Sequence, residues 1–283
     1  MSEKVAVAFI HGAGSRRLTL AQREQRREAH RQPIIDGIAK LDLASTTVEF
    51  DQAGISILEY VDPPAGRGIR KLRQHPAGEE RQHRLPNREV MCECCGQRPF
   101  PARAAGTGFF ARLRDLNIVH NGADAARNLS INPGGLHEVW EYLAMQNRRE
   151  GVLTSLANQL PAGPYVLWGH SLGSVIALEL AAYLRQGDEP KVLVTSGSPL
   201  DLRRVRQGLL PGVADWAEHC REVPWVNVYD GYDIINPNKA GLRHTGYGPI
   251  VDVKVRNGEN YHSGVRYLQH QAAWDQVHRA LAD

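Results

Sequence analysis

The chain of 283 residues has a formal net charge of +3 and contains 42% hydrophobic residues. It is long enough for one large α/β domain, or for one domain with a sizeable insertion, and its composition excludes a chain that is disordered throughout. The small net charge gives no reason to expect a nucleic-acid partner. No apolar run reaches the roughly 18 residues of a membrane span, and the first residues do not form a signal peptide, so we expect a cytoplasmic protein.

The predicted elements alternate between strands and helices along the chain. The first is a strand at 5–10, a continuous apolar run that ends in glycine-rich residues, which is typical of a strand covered on both faces. Further strands are predicted at 48–61 (one or two strands), 165–168, 192–195, 225–229 and 250–255, and helices at 20–41, 137–160, 172–186, 202–220 and 263–281. Because strands alternate with helices, we expect a doubly wound, mostly parallel sheet in a single α/β domain over residues 1–283.

The segment 62–135 differs in composition, since it is rich in arginine, glycine and proline and has little periodicity. A structureless loop of this length is improbable in a compact domain. We therefore expect a lid-like insertion with short helices at 109–116 and 122–129. Arginines concentrate at 23–31 and again at 67–88, which indicates either a solvated face or a surface for an anionic head group or partner.

Three of the four cysteines lie in one tetrapeptide of this insertion, Cys92, Cys94 and Cys95. Cys92 and Cys95 have the Cys-x2-Cys spacing of a zinc site, and His75 and His83 are nearby candidates for further ligands. A second Cys-x2-Cys pair is missing from the sequence, and a cytoplasmic location disfavours disulfides. We therefore predict free or partly buried thiols and no metal.

The strongest chemical signal is the sequence GHSLG at 169–173, which lies between a predicted strand and a predicted helix. In the G-x-S-x-G pattern the serine occupies a sharp turn with a strained backbone, so that its hydroxyl stands clear of the sheet, and only very small residues fit on either side. The turn also brings Ser171 to a helix N-terminus, where the helix dipole favours an oxyanion. A chance match within a β-α turn is the alternative interpretation.

With this motif the sequence resembles the α/β-hydrolase superfamily, and especially its lipase- and esterase-like members. The resemblance is carried by GHSLGSVIA at 169–177 and GSPL at 197–200; it spans most of the chain and is weak at 62–135. Many members have strands before the His-Gly strand, whereas only four residues precede Val5 here. The chain therefore resembles a smaller lipase-like variant, whose sheet edge near the start is either exposed or covered by the insertion or by another chain.

A second signal is the sequence HGAG at 11–14, directly after the first predicted strand. The resemblance implies that the N–H of Ala13 forms one half of an oxyanion hole, and that the N–H of Leu172 forms the other half. The alternative is a plain glycine-rich turn, which could also cradle a phosphate. The stretch lacks the third glycine of a dinucleotide-binding fingerprint.

The catalytic base should follow both the nucleophile and the acid along the chain. His262 lies in a loop between the last predicted strand and the last helix, where the resembled family holds its catalytic histidine, and His244 in a glycine-flanked loop is the alternative. His219 precedes the acid candidates, and His270 and His278 fall inside the last predicted helix. The sequence thus favours His262 over His244.

The acid is expected just beyond the strand at 225–229, at the carboxyl edge of the sheet. Asp233 begins the Asp-x-hydrophobic segment that the resembled family often has there, whereas Asp230 could serve as a turn residue. Asp252 is a third candidate inside a strand. We favour Asp233, and Asp230 remains open.

Taken together, these residues predict a serine hydrolase that cleaves a carboxylic ester, on a small-molecule, lipid or acyl substrate, through a Ser-His-Asp triad and an acyl-enzyme, without a cofactor. Fold and triad do not fix the substrate. Two alternatives remain open: a catalytically silent binding or scaffold protein, and a hydrolase that the cysteine cluster regulates.

Overall fold

The computed structural model describes residues 3–12, 18–41, 48–60, 133–184, 188–210, 213, 223–236 and 239–282. Of the predicted insertion, only 133–135 fall within these ranges. The four cysteines, and with them the expectation about a metal, lie outside the described residues, as do Ala13 and His219.

Six strands form one sheet in the order β2-β1-β3-β4-β5-β6, and every neighbouring pair is parallel. The strands are β1 (Glu3–Ile10), β2 (Val48–Leu58), β3 (Tyr165–His170), β4 (Val192–Ser196), β5 (Trp225–Asp230) and β6 (Val251–Val255). The α-helices are α1 (Leu20–Ala39), α2 (Pro133–Ala144), α3 (Gln146–Ala157), α4 (Leu172–Tyr183), α5 (Arg203–Gly208), α6 (Gly264–Leu268) and α7 (Gln271–Ala282). The predicted parallel α/β fold is confirmed.

Both faces of the sheet are buried along its central strands β1, β3, β4 and β5, which explains why these strands are largely apolar. Successive side chains of β1 point to opposite faces, so Ala8 and Ile10 join the hydrophobic cluster that contains α3 and α4, whereas Val7 and Phe9 join the cluster that contains α1 and α7. The helices therefore cover the sheet from two sides, as in a doubly wound fold.

Several element boundaries differ from the prediction. The helix predicted at 137–160 is two helices, α2 and α3, because Met145 between them has an extended backbone with φ −112° and ψ 94°. The last predicted helix is likewise divided into α6 and α7. The stretch at 48–61 forms one long strand, β2, whose pairing with β1 shifts register near Gly54, where a Cβ would lie 2.9 Å from the Cβ of Ala6.

The arginines of α1 bind within the chain and attach this helix to β2, the edge strand. Arg23 and Arg27 each lie 3.4 Å from the carboxylate of Glu59, and Arg31 donates to the carbonyl of Ile55 at 3.0 Å. These contacts favour an intramolecular role for the first arginine cluster. Among the described helices, none is both long and apolar enough to cross a membrane.

Candidate active site

Three predicted side chains meet at the carboxyl edge of the sheet. Ser171 follows β3 directly, Asp233 follows β5 by three residues, and His262 lies in the loop between β6 and α6. His262 Nε2 is 2.9 Å from Ser171 Oγ, and His262 Nδ1 is 2.9 Å from Asp233 Oδ2 and 3.0 Å from Oδ1. Because an ionised carboxylate can only accept, Nδ1 carries the hydrogen, and Nε2 is left to accept the hydroxyl hydrogen of Ser171.

The turn that holds Ser171 is shaped by contacts that leave no room for side chains. Ser171 has φ 55° and ψ −124°, a conformation that a non-glycine residue adopts only under strain. A Cβ at Gly169 would lie 2.3 Å from the carbonyl oxygen of Gly173, and a Cβ at Gly173 would lie 2.2 Å from that of Ile10. The two glycines of the motif are therefore required by the close approach of β3, α4 and β1.

The backbone around Ser171 offers donors for a developing negative charge. Leu172 is the first residue of α4, and the N–H groups of the first helical turn have no acceptor within the helix. The end of β1 lies against the nucleophile, because a Cβ at Gly12 would come within 2.8 Å of the Cβ of Ser171. Tyr60 donates to the carbonyl of Gly12 at 3.1 Å and so fixes this approach. Ala13 follows Gly12 directly but lies outside the described residues.

Asp233 is buried, and its carboxylate receives more donors than His262 alone. The backbone N–H of Ile235 donates to Oδ1 at 2.9 Å, and the hydroxyl of Tyr267 donates to Oδ2 at 2.7 Å. Burial raises the pKa of Tyr267, and the neighbouring Asp233 raises it further, so this hydroxyl stays protonated. Sequence reasoning missed Tyr267, since its contact with Asp233 spans 34 positions.

The alternative acids have other partners. Asp230 is fully buried; its Oδ1 accepts from the N–H of Tyr232 at 2.8 Å, and its Oδ2 accepts from the N–H of Asn257 at 2.6 Å. It thereby connects the loop after β5 to the loop after β6. Asp252 accepts from the backbone N–H of Leu242 at 2.8 Å. Neither carboxylate is paired with His262.

The alternative histidines also lie apart from this cluster. His244 forms an ion-pair contact of 3.2 Å with Asp201, and His270 contacts the side chain of Asn257 at 2.8 Å. His278 belongs to α7. The structure therefore brings together Ser171, Asp233 and His262 but none of these alternatives.

A group of neutral imidazoles lies behind His262, and sequence analysis did not single it out. The ring of His170 is 4.8 Å from that of His262 and 6.2 Å from that of His11, which in turn lies 4.6 Å from His30. Burial, together with the neighbouring His30 and Arg26, lowers the pKa of His11 to about 3. Burial likewise lowers the pKa of His30 and His170. An uncharged His170 places no positive charge beside the ring of His262.

A protein-family model described as a thioesterase domain matches residues 148–216. This family is of the α/β-hydrolase type, and the matched segment contains Ser171 and the whole of α4 but neither Asp233 nor His262. A search of curated proteins found no significant match. Fold and family match together support a hydrolase that acts on esters in the broad sense.

Proposed function

We propose that this chain is a serine hydrolase of the α/β-hydrolase type, which transfers an acyl group from an ester or thioester to water. Its parallel sheet and the thioesterase-domain match at 148–216 support this proposal. The observation that carries the proposal is the continuous hydrogen-bonded line from Ser171 Oγ through both nitrogens of His262 to the buried carboxylate of Asp233, with each contact at 2.9 Å. This is the geometry of an activated nucleophile, with a general base and a group that orients the base.

The proposed reaction has two stages. His262 accepts the hydroxyl proton while Ser171 Oγ attacks the acyl carbon, and the resulting oxyanion is held by the N–H of Leu172 and, by resemblance, by that of Ala13. Each such donor contributes roughly 3 kcal/mol to the stability of the transition state. His262 then gives its proton to the leaving group, and water activated by the same imidazole releases the acid from Ser171. Asp233 orients the ring and stabilises the imidazolium throughout.

Two substrate classes, which differ in their leaving group, fit the proposed mechanism. The sequence motif resembles lipases and esterases, which favours a carboxylic ester of a lipid or other acyl group. The matched family favours a thioester. The same triad serves both, because the chemistry at the acyl carbon is the same and no cofactor takes part. The alternative to any of these activities is a silent binding protein of the same fold.

Labelling with a fluorophosphonate tests the activated nucleophile, since the probe forms a covalent bond only with a nucleophilic serine. We expect the wild-type protein to be labelled and Ser171→Ala to be inert. Ser155→Ala is the matched control. Ser155 lies in α3, where its hydroxyl accepts a hydrogen bond from the side chain of Gln159 at 3.3 Å, so its removal should leave labelling unchanged. A wild-type protein that is folded and unlabelled would refute the proposal in favour of a binding protein.

A second measurement distinguishes the leaving groups. Values of kcat/KM are compared for an oxygen ester and a thioester that carry the same acyl chain, in the wild type and in Ser171→Ala. A higher value for the thioester that disappears in the variant assigns a thioesterase, and a higher value for the oxygen ester assigns an esterase. Turnover that survives in Ser171→Ala would contradict the mechanism for both substrates.

A further inference from the structure

The hydroxyl of Tyr267 lies where the acid loop and the segment after the histidine loop meet. We infer that Tyr267 is a positioning residue, which holds the carboxylate of Asp233 in the orientation that His262 requires. The inference rests on the proposed serine hydrolase activity and goes beyond it, because neither the sequence motifs nor the matched segment 148–216 includes Tyr267.

The hydrogen bonds of Tyr267 leave its hydroxyl little rotational freedom. A phenol has one hydrogen to donate, and here it points to Asp233 Oδ2 at 2.7 Å. The phenol oxygen of Tyr267 itself accepts a hydrogen bond from the backbone N–H of Asp230 at 3.1 Å. One contact is with the last residue of β5 and the other with the loop that follows it. The hydroxyl therefore binds both ends of the short turn 230–233 and fixes the direction of the Asp233 carboxylate.

The carboxylate of Asp233 is held from both sides. Ile235 N–H donates to Oδ1 at 2.9 Å and Tyr267 donates to Oδ2, which leaves His262 Nδ1 at nearly equal distances of 2.9 and 3.0 Å from the two oxygens. Without the phenol, the carboxylate would be held by Ile235 on one side only. It could then rotate about its Cβ–Cγ bond, and the contact of its second oxygen with His262 would weaken.

Packing holds the donor in place before any substrate binds. Tyr267 is completely buried in α6, the helix that begins two residues after His262. Its ring is 5.6 Å from that of His170, and the Cα of Gly197 approaches it so closely that a Cβ there would be 3.0 Å from Tyr267 Cε2. A locked ring presents its hydroxyl without an entropic cost at each turnover, which is how supporting residues preorganise a site. The protonated state of the phenol keeps it a donor throughout the working pH range.

The test removes only the hydroxyl. In Tyr267→Phe we expect kcat to fall about 10- to 100-fold, the size of effect that a small misplacement of a reacting group produces, with KM changed less than about twofold. Tyr165→Phe is the matched control, because its hydroxyl also donates one hydrogen bond. Its acceptor is the backbone carbonyl of Asp188 at 2.8 Å, at the amino end of β3 and away from Ser171. The control should lose a similar amount of stability in thermal unfolding and none of the kcat.

A double-mutant cycle separates positioning from general stabilisation. If Tyr267 acts through Asp233, then Tyr267→Phe should cost nothing further in the Asp233→Ala background. An equal loss in both backgrounds, or an unchanged kcat in Tyr267→Phe, would overturn the inference while leaving the serine hydrolase standing. A folded wild-type protein without any turnover or labelling would instead refute the proposed activity and, with it, any positioning role.

A second variant covers a failure of Tyr267→Phe to fold. Replacing Tyr267 by 3-fluorotyrosine keeps the hydroxyl and the packing but makes the phenol a stronger donor to Asp233. We expect kcat to change at constant KM, whereas 3-fluorotyrosine at position 165 should have no effect. An unchanged kcat at position 267 contradicts the inference.

Discussion

The two halves of the candidate active site are built in opposite ways. Around Ser171 the chain is shaped by the absence of side chains. A Cβ added at Gly169 would lie 2.3 Å from a backbone carbonyl oxygen, and one added at Gly173 would lie 2.2 Å from another. Around Asp233 and His262 it is shaped by side chains that are present. Asp230 joins the end of β5 to the loop after β6, and Tyr267 joins α6 to the loop after β5.

This difference separates steric from hydrogen-bonded control of geometry. The nucleophile turn is strained, and it persists because close packing permits no other path for the backbone. The loops of the acid and the base are less constrained by contact distances, and they depend on buried acceptors that must each find a donor. The turn of the nucleophile should therefore tolerate no added atom at its two motif glycines. The acid loop should tolerate an added methyl group at Gly231 but not the loss of a buried polar group.

The largest effect is expected from exchanging polar groups in the second region. Asp233→Asn should lower kcat about 10⁴-fold, because an amide that donates to Nδ1 favours the wrong tautomer of His262. Asp230→Asn should lower kcat less than about tenfold but destabilise the fold by about 1–3 kcal/mol, since the buried carboxylate accepts from two backbone N–H groups. Steady-state kinetics and urea unfolding measure the two quantities.

A larger loss of kcat in Asp230→Asn than in Asp233→Asn would mean that Asp230 is the acid. It would contradict the assignment of Asp233, which geometry favours because only Asp233 contacts His262.

A smaller effect is expected from adding one methyl group to each region. Gly173→Ala should destabilise the protein by about 3 kcal/mol and abolish fluorophosphonate labelling, because the new Cβ would overlap the carbonyl oxygen of Ile10. Gly231→Ala, in the acid loop, should be tolerated, because the nearest atom to its Cβ would be Lys254 Cε at 3.5 Å. Thermal unfolding and labelling of both variants check this. Equal tolerance at both positions would remove the steric distinction between the regions.

The same contrast explains what could be predicted from the sequence. The nucleophile turn is determined by five consecutive residues, and a short motif contains all of that information. The sequence could narrow the acid to Asp233 or Asp230, because both follow the same strand at the same edge of the sheet. The choice between them depends on which carboxylate reaches His262. Tyr267 could not be found, since its role depends on a contact across 34 positions.

The fold shows a similar limit. Alternating strand and helix patterns predict a parallel α/β sheet, and the six strands confirm it. The break at Met145 could not be predicted, because the residues on either side have helical patterns and no proline or glycine marks the change.

The smallest of the expected effects concerns the neutral histidines beside the nucleophile turn. His11, His30 and His170 have lowered pKa values in the folded protein, that of His11 being about 3, and all would take up protons near pH 6.5 when unfolded. Below about pH 6.5 the unfolded state therefore binds more protons than the folded state. The stability that these histidines contribute is present above about pH 6.5 and is lost as the pH falls. Each imidazole that stays neutral should lower the free energy of unfolding by about 2 kcal/mol between pH 7 and pH 5. Urea unfolding at both pH values measures this loss. His11→Gln should reduce it by one histidine's share, since a pKa of about 3 keeps His11 neutral at pH 5. An identical loss in the variant would show that the acid sensitivity arises elsewhere, for example in the polar connections around Asp230.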